Sequence, residues 1–262
     1  MKIAQQLKEL YQYRYLVSTF VIRDIKARYR QTSLGVAWAI IQPLLLTGIF
    51  TIIFSKFLKV STGGVPYPIF SFIALAAWTF ISRSITAGSE NLIGNSGFIT
   101  KIYFPREVFP LATVLSSLID FTVSSLVSLL LLIVYKIPFT WHLIFIPLVF
   151  CIQILLAISF ALVASAITVL FRDLQFAFPF LVQILMYGSP VIYSTRNLQQ
   201  NLQIFFYLNP ITGIIEGYRS ILLYHEIPNL IYLGISFSFS FILLTSSYLL
   251  FKRIEKYLAD VV

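Results

Sequence analysis

LIFIPLVFCIQILLAISFALVASAITVLF, residues 143–171, carries no charged side chain from end to end. A helix crossing the hydrocarbon core of a bilayer needs about 20 predominantly apolar residues. This stretch is long enough to tilt or to project beyond the bilayer. Backbone N–H and C=O groups in lipid must be satisfied within the segment, so the run reads as a spanning α-helix. Five further apolar runs flank it, at 34–57, 67–87, 108–135, 176–193 and 229–251. The run at 176–193 is short and contains Pro179, Gly188 and Pro190, which predicts a bend.

Composition agrees with that reading. Of the 262 residues 58% are hydrophobic and 11% charged, with mean hydropathy +0.88. A water-facing domain carries about 25% charged residues. The expectation is an all-α membrane protein of six transmembrane helices, a single domain over 34–262 behind a cytoplasmic interface segment at 1–33. No internal repeat is visible. The first apolar run follows that charged segment and is long enough to span, so it is expected to stay as the first helix and not be a cleaved signal.

The net charge of +9 does not point to nucleic acid. Lys and Arg gather between the apolar runs, as they do where charge sets membrane orientation. Of the 19 basic residues, Lys56, Lys59, Lys136, Arg196 and Arg219 fall on one side and the rest on the other. The bias places both termini in the cytoplasm. Cys151 is the only cysteine, and His142 and His225 stand far apart, so neither a disulfide nor a metal site is expected.

Before the first run, Phe20, Val21 and Ile25 alternate with Arg23, Lys26 and Arg30 at helical spacing, and Asp24 and Arg28 sit at i,i+4. That pattern fits an interfacial helix with cations near anionic lipid; a plain basic tether is the alternative. In the external segment before the last run, Asn209-Pro210 is a helix-start pair. Ile211, Ile214, Ile215, Tyr218, Ile221 and Leu222 then share one face, with Glu216 and Arg219 elsewhere. Such a helix either dips into the membrane under protein cover or lies flat on the outer surface.

Enzymatic chemistry needs a nucleophile with its base, paired carboxylates or metal ligands, and the apolar runs hold almost no charge. Asp120 is the exception. As a functional group it would relay protons or line a channel; as a structural one it would hydrogen-bond Ser or Thr, and Ser116, Ser117, Thr122, Ser124 and Ser125 stand nearby. The structural role is the expected one, because proton-coupled carriers carry several intramembrane ionisable groups. GNSGFITK, at 94–101, fails the spacing of a phosphate-binding loop, so the chain is not expected to hydrolyse ATP. Most of the 25 Phe, 15 Tyr and 3 Trp are packing and interface residues. Trp38, Phe50, Tyr187 and Tyr193, with small or polar neighbours, are candidates to line a path for sugars, whose apolar faces stack on rings.

Four stretches together resemble the permease subunit of the ABC exporters for polysaccharides and polyol phosphates, which export O-antigen, capsule and teichoic acid. They are RDIKARYRQTSLGVAWAIIQPLL (23–45), NSGFITKIYFPREVFPLA (95–112), FRDLQFAFPFLVQILMYGSPVIY (171–193) and NPITGIIEGYRSILL (209–223). The resemblance implies a cytoplasmic coupling helix at 95–107 that docks on an ATPase subunit, with Phe98, Lys101, Tyr103, Phe104 and Arg106 as contacts. Arg172 and Asp173 would be a second contact or a local ion pair. It also implies a re-entrant external hairpin over 198–223, with Asn209, Pro210, Glu216, Tyr218 and Arg219 forming the outer gate. Two copies of the chain would enclose a channel above two ATP-binding cassette subunits, which hold the ATP and Mg. This chain itself would bind no cofactor. The substrate implied is a lipid-linked glycan crossing the bacterial inner membrane. Our own expectation, beyond the resemblance, is that Arg23, Lys26, Arg28 and Arg30 steer its pyrophosphate. The rival readings are a teichoic acid permease, an efflux permease for drugs or lipids, and an ion-coupled carrier that depends on Asp120.

Overall fold

The computed structural model describes residues 9–30, 32, 34–99, 104–197 and 199–255, so Lys101 and Tyr103 lie outside the described residues. Those described form helices and connecting turns only. The helices are α1 (Arg14–Tyr29), α2 (Trp38–Phe57, π-helical from Thr51), α3 (Tyr67–Gly94), α4 (Ser96–Ile99) and α5 (Val108–Val134). They continue as α6 (Ile146–Leu170), α7 (Leu174–Tyr187), α8 (Gln200–Tyr207), α9 (Pro210–Arg219) and α10 (Leu230–Glu255).

Five of these are long and apolar enough to cross a membrane: α2, α3, α5, α10, and α6 with the turn before it. Their positions match five of the six apolar runs. The run at 176–193 behaves differently. Its helix passes through Pro179 but ends at Tyr187, 14 residues long, and 188–193 continue as turns and bends. Against the six expected spans, the described residues thus form five helices of spanning length and one short helix, α7. Pro190 cannot donate to a helix backbone, and the carbonyls of Pro190, Val191 and Tyr193 all bond to Arg219 instead.

The bundle is organised around α3, which is buried at almost every position from Tyr67 to Ile81. It packs against α2, α5, α6, α7 and α9. Lipid tails are as apolar as Leu, so helices in a membrane associate through close backbone approach and polar contacts. Gly88 of α3 illustrates the first: a Cβ there would stand 3.0 Å from Ala161 Cα of α6. The second appears where Ser159 Oγ of α6 donates to the Ser240 carbonyl of α10 at 3.2 Å. On α7 only Val182 is buried, while Phe176, Phe180, Leu181 and Ile184 face outward.

The expected basic helix before the first span is present as α1, but its faces are not divided into cations and apolar groups. Phe20 is its buried residue, and α1 packs along α5. Lys26 and Arg30 are exposed with Tyr11, Tyr15 and Ile22. Arg23 and Arg28 are turned toward the bundle.

Candidate substrate path and coupling surfaces

At one end of the bundle, aromatic rings from three parts of the chain converge. Phe20 of α1 lies 4.9 Å from Phe109 of α5 and meets Phe98 of α4 edge-on at 5.7 Å. Phe104 lies 5.4 Å from Phe109 and is 3% exposed. Of the expected contacts in this segment, Phe98 is thus exposed on one side and Phe104 is turned inward as an anchor. Arg106 lies over the Phe104 ring at 5.3 Å, and its N–H donates to Glu255 Oε1 at 3.2 Å. Lys252 pairs with Glu107 and, at 2.8 Å, with Glu255. The segment 104–107 is therefore tied to the end of the last helix. Arg23 donates to Asn95 Oδ1 at 2.6 Å and to Asp24 Oδ1 at 2.8 Å, and stands over Phe20. Arg172 and Asp173 are exposed at the turn between α6 and α7.

Within the bundle, Asp120 of α5 receives two guanidinium groups, Arg28 from α1 and Arg83 from α3, both on Oδ2. Tyr29 Oη donates to Oδ1 at 2.7 Å. Burial, and after it the Asp120 carboxylate, push the Tyr29 phenol above its ordinary pKa, so the phenol keeps its proton and donates. Asp120 is thus salt-bridged, whereas the sequence led us to expect a Ser or Thr partner. Ser116 bonds to Arg28 instead. Of the four residues expected to steer an anion, the structure divides the set: Lys26 and Arg30 are exposed, while Arg23 and Arg28 are engaged inside.

At the opposite end lies α9, whose ten residues are all buried. It packs against α3, α6 and α10. Asn209 caps it by accepting from Ile211 N at 3.0 Å, and its amide donates to Ser189 Oγ at 2.9 Å and the Gly188 carbonyl at 3.2 Å. The capping residue therefore also holds the broken end of α7. Tyr218 Oη donates to Gln153 Oε1 of α6 at 2.6 Å, and Gln153 donates to the Ala77 carbonyl of α3. Arg219, fully buried, donates to the carbonyls of Pro190 (2.6 Å), Val191 (2.9 Å) and Tyr193 (3.1 Å). It also pairs with Glu216 at 2.9 Å and stacks 3.6 Å over the Phe70 ring. Buried charge is tolerable only when paired and hydrogen-bonded, and this guanidinium uses its donors on three parts of the chain. Residues 209, 210, 216, 218 and 219 are brought together as the sequence grouped them. Arg219 as the tie between α9, α3 and 190–193 was not foreseen.

Beyond α9, Arg196 pairs with Glu226 at 2.5 Å and lies 3.7 Å over the Tyr224 ring. Its hydrogen bond, the largest influence, holds the Glu226 carboxyl below the usual range. The four candidate aromatics do not share one wall. Tyr187 and Tyr193 are joined, Tyr193 Oη donating to the Tyr187 carbonyl at 3.1 Å. Trp38 and Phe50 lie on α2, which packs against α3 and α5, and Phe50 meets Phe54 edge-on at 5.8 Å.

Several apolar helices of spanning length around a polar centre define a multi-pass membrane protein. The chain belongs to the ABC-2 type transporter family, whose pattern matches residues 15–223. It is 30% identical over 225 residues to the O-antigen export system permease protein RfbA of Myxococcus xanthus, covering 85% of this chain and 86% of that one. An RfbA permease of Klebsiella pneumoniae is 26% identical over 262 residues, 97% of this chain and 99% of its own length.

Proposed function

We propose that this chain is the membrane subunit of an ATP-driven exporter of lipid-linked polysaccharide of the O-antigen or capsule class. The observation that carries the reading is end-to-end similarity to O-antigen export permeases, covering 97% of this chain and 99% of the relative. Two copies enclose the path in the bacterial inner membrane, both termini in the cytoplasm, with two ATP-binding cassette subunits beneath. The outward apolar faces of α2 and α7 suit the partner copy and lipid. The aromatics Trp38 and Phe50 of α2, Tyr187 at the end of α7 and Tyr193 in the turns after it contribute to the path.

Coupling runs through 95–107, with Phe98, Lys101, Tyr103 and Arg106 toward the ATPase and Phe104 as its internal anchor. Arg172 and Asp173 add a second contact. The buried Phe20–Phe104–Phe109 cluster and the Lys252–Glu107 pair would pass movement of this segment to α1, α5 and α10. At the other end, α8 and α9 form a re-entrant hairpin that gates the outer mouth. Complete burial of α9 between spanning helices supports this, because a helix lying flat on the surface would leave one face exposed.

Gentle purification of the tagged chain from its host tests the proposal. Co-purification of a stoichiometric ATPase, with turnover raised by lipid-linked glycan, is expected. Recovery of the chain alone, moving solute under an ion gradient, would overturn it.

A further inference from the structure

We propose that the Asp120 cluster is a headgroup site for the phosphate or diphosphate of a lipid-linked substrate, with Asp120 holding the place that this anion takes. The inference rests on the exporter reading and adds a binding site to it.

The charge balance comes first. Arg28 and Arg83 share one carboxylate, which leaves the group one positive charge in excess. Among the described residues neither guanidinium is paired with a second carboxylate. Cations within membrane spans are costly unless they pair or face a wet cavity, so an arriving anion is favoured here far more than at the surface.

The geometry gives that anion a place. Arg83 and Asp120 line a recess of about 410 Å³ between α2, α3 and α5, with Gln42, Ser82, Ser117 and Phe121 on its walls. Arg83 spans the recess: one terminal nitrogen holds Asp120 and the other donates to Gln42 Oε1 at 3.1 Å. A guanidinium presents parallel N–H donors that match phosphate as well as carboxylate oxygens. The Ser82 hydroxyl on the same wall can donate to a remaining oxygen, while that of Ser117 already donates to the Thr113 carbonyl at 2.9 Å. A phosphate that took Arg83 would leave Asp120 with Arg28 and Tyr29, a neutral pair with a phenol.

The surroundings select a phosphate attached to lipid. Leu45 and Leu46 of α2 line the same recess and are exposed on the bundle surface, so an apolar tail remains in the bilayer while its headgroup reaches Arg83. On α1, which supplies Arg28, the exposed Lys26 and Arg30 border a second recess of about 520 Å³ with Arg23. Lys26 and Arg30, at the end of the same helix as Arg28, stand two residues to either side of it.

The test uses the permease–ATPase complex in nanodiscs of zwitterionic lipid, with radiolabelled polyprenyl diphosphate as the probe. Polyprenyl alcohol and phosphatidylglycerol are the competitors. Arg83→Gln should weaken diphosphate binding about tenfold or more, the effect of losing one charge-assisted donor, with Arg83→Lys intermediate. Asp120→Asn should bind more tightly, because the competing carboxylate is gone; a cluster that merely fastens helices predicts no gain. Equal binding by the wild type and Arg83→Gln would overturn the inference. So would competition by phosphatidylglycerol as effective as by unlabelled diphosphate, which would mark an ordinary membrane-lipid site. Should Asp120→Asn not assemble, the two Arg83 variants still decide. The assay needs no ATP, so failure of glycan to stimulate turnover in the wild type would count against the exporter reading alone.

Discussion

Replacing Arg219 with Gln strikes the point where α9, α3 and residues 190–193 are fastened together. The guanidinium is fully buried and donates to the carbonyls of Pro190, Val191 and Tyr193. Its loss strands Glu216, 5% exposed and paired with Arg219 at 2.9 Å. Removing one partner of a buried ion pair costs about 3–5 kcal/mol, because the other charge stays buried without compensation. At roughly 2–4 °C per kcal/mol for a chain of this size, the apparent melting midpoint should fall by about 6–20 °C. The double variant Glu216→Gln with Arg219→Gln removes the stranded charge and should recover part of that loss. Both are measured by heating the purified complex and following the intact fraction by size-exclusion chromatography. Hydrogen exchange should rise in 188–193 first, since those carbonyls anchor that segment. A single variant as stable as the wild type, or a double variant no better than the single, would refute the reasoning.

Three further outcomes follow from the same geometry. Asn209→Ala removes the cap of α9 and the bonds to Gly188 and Ser189, and should cost about 1 kcal/mol, read as a lower melting midpoint. Gly213→Ala places a methyl against Ser236 Oγ and 2.9 Å from the Tyr232 carbonyl; α9 must shift from α10, and a loss of about 1–3 kcal/mol is expected in the same assay. Glu226 has a folded pKa below its ordinary value of 4.5 because Arg196 bonds to its charged form. Its contribution is therefore present above pH 4.5 and is lost as pH falls through the lower folded value. The pair is exposed, so the effect is below about 1 kcal/mol. Glu226→Gln should flatten the pH dependence of hydrogen exchange around Tyr224.

Much of the architecture was legible because lipid imposes a length and polarity rule on every crossing. Residues 67–87 and 108–135 needed no tertiary information to be read as helices. The boundary at Tyr187 was harder, since Gly188 and Pro190 signal a break without saying what receives the freed carbonyls. That receiver is Arg219, about thirty positions later in the chain. Asn209 was readable as a cap because capping is local, but its hold on Ser189 was not. Asp120 was recognised as anomalous from composition alone. Its partners Arg28 and Arg83 lie on other helices, and only the packing of α1 and α3 against α5 joins them. Sequence periodicity likewise could not show that Arg23 and Arg28 turn inward while Lys26 and Arg30 stay exposed.

The central claim is most directly tested by reconstituting the purified permease with its ATPase in sealed vesicles and adding lipid-linked glycan to the ATPase side. The account predicts that glycan appears on the opposite face only with hydrolysable ATP, and that transport ceases when the ATPase is catalytically disabled. Glycan crossing without ATP, or no crossing by a complex that still hydrolyses ATP in response to glycan, would contradict it.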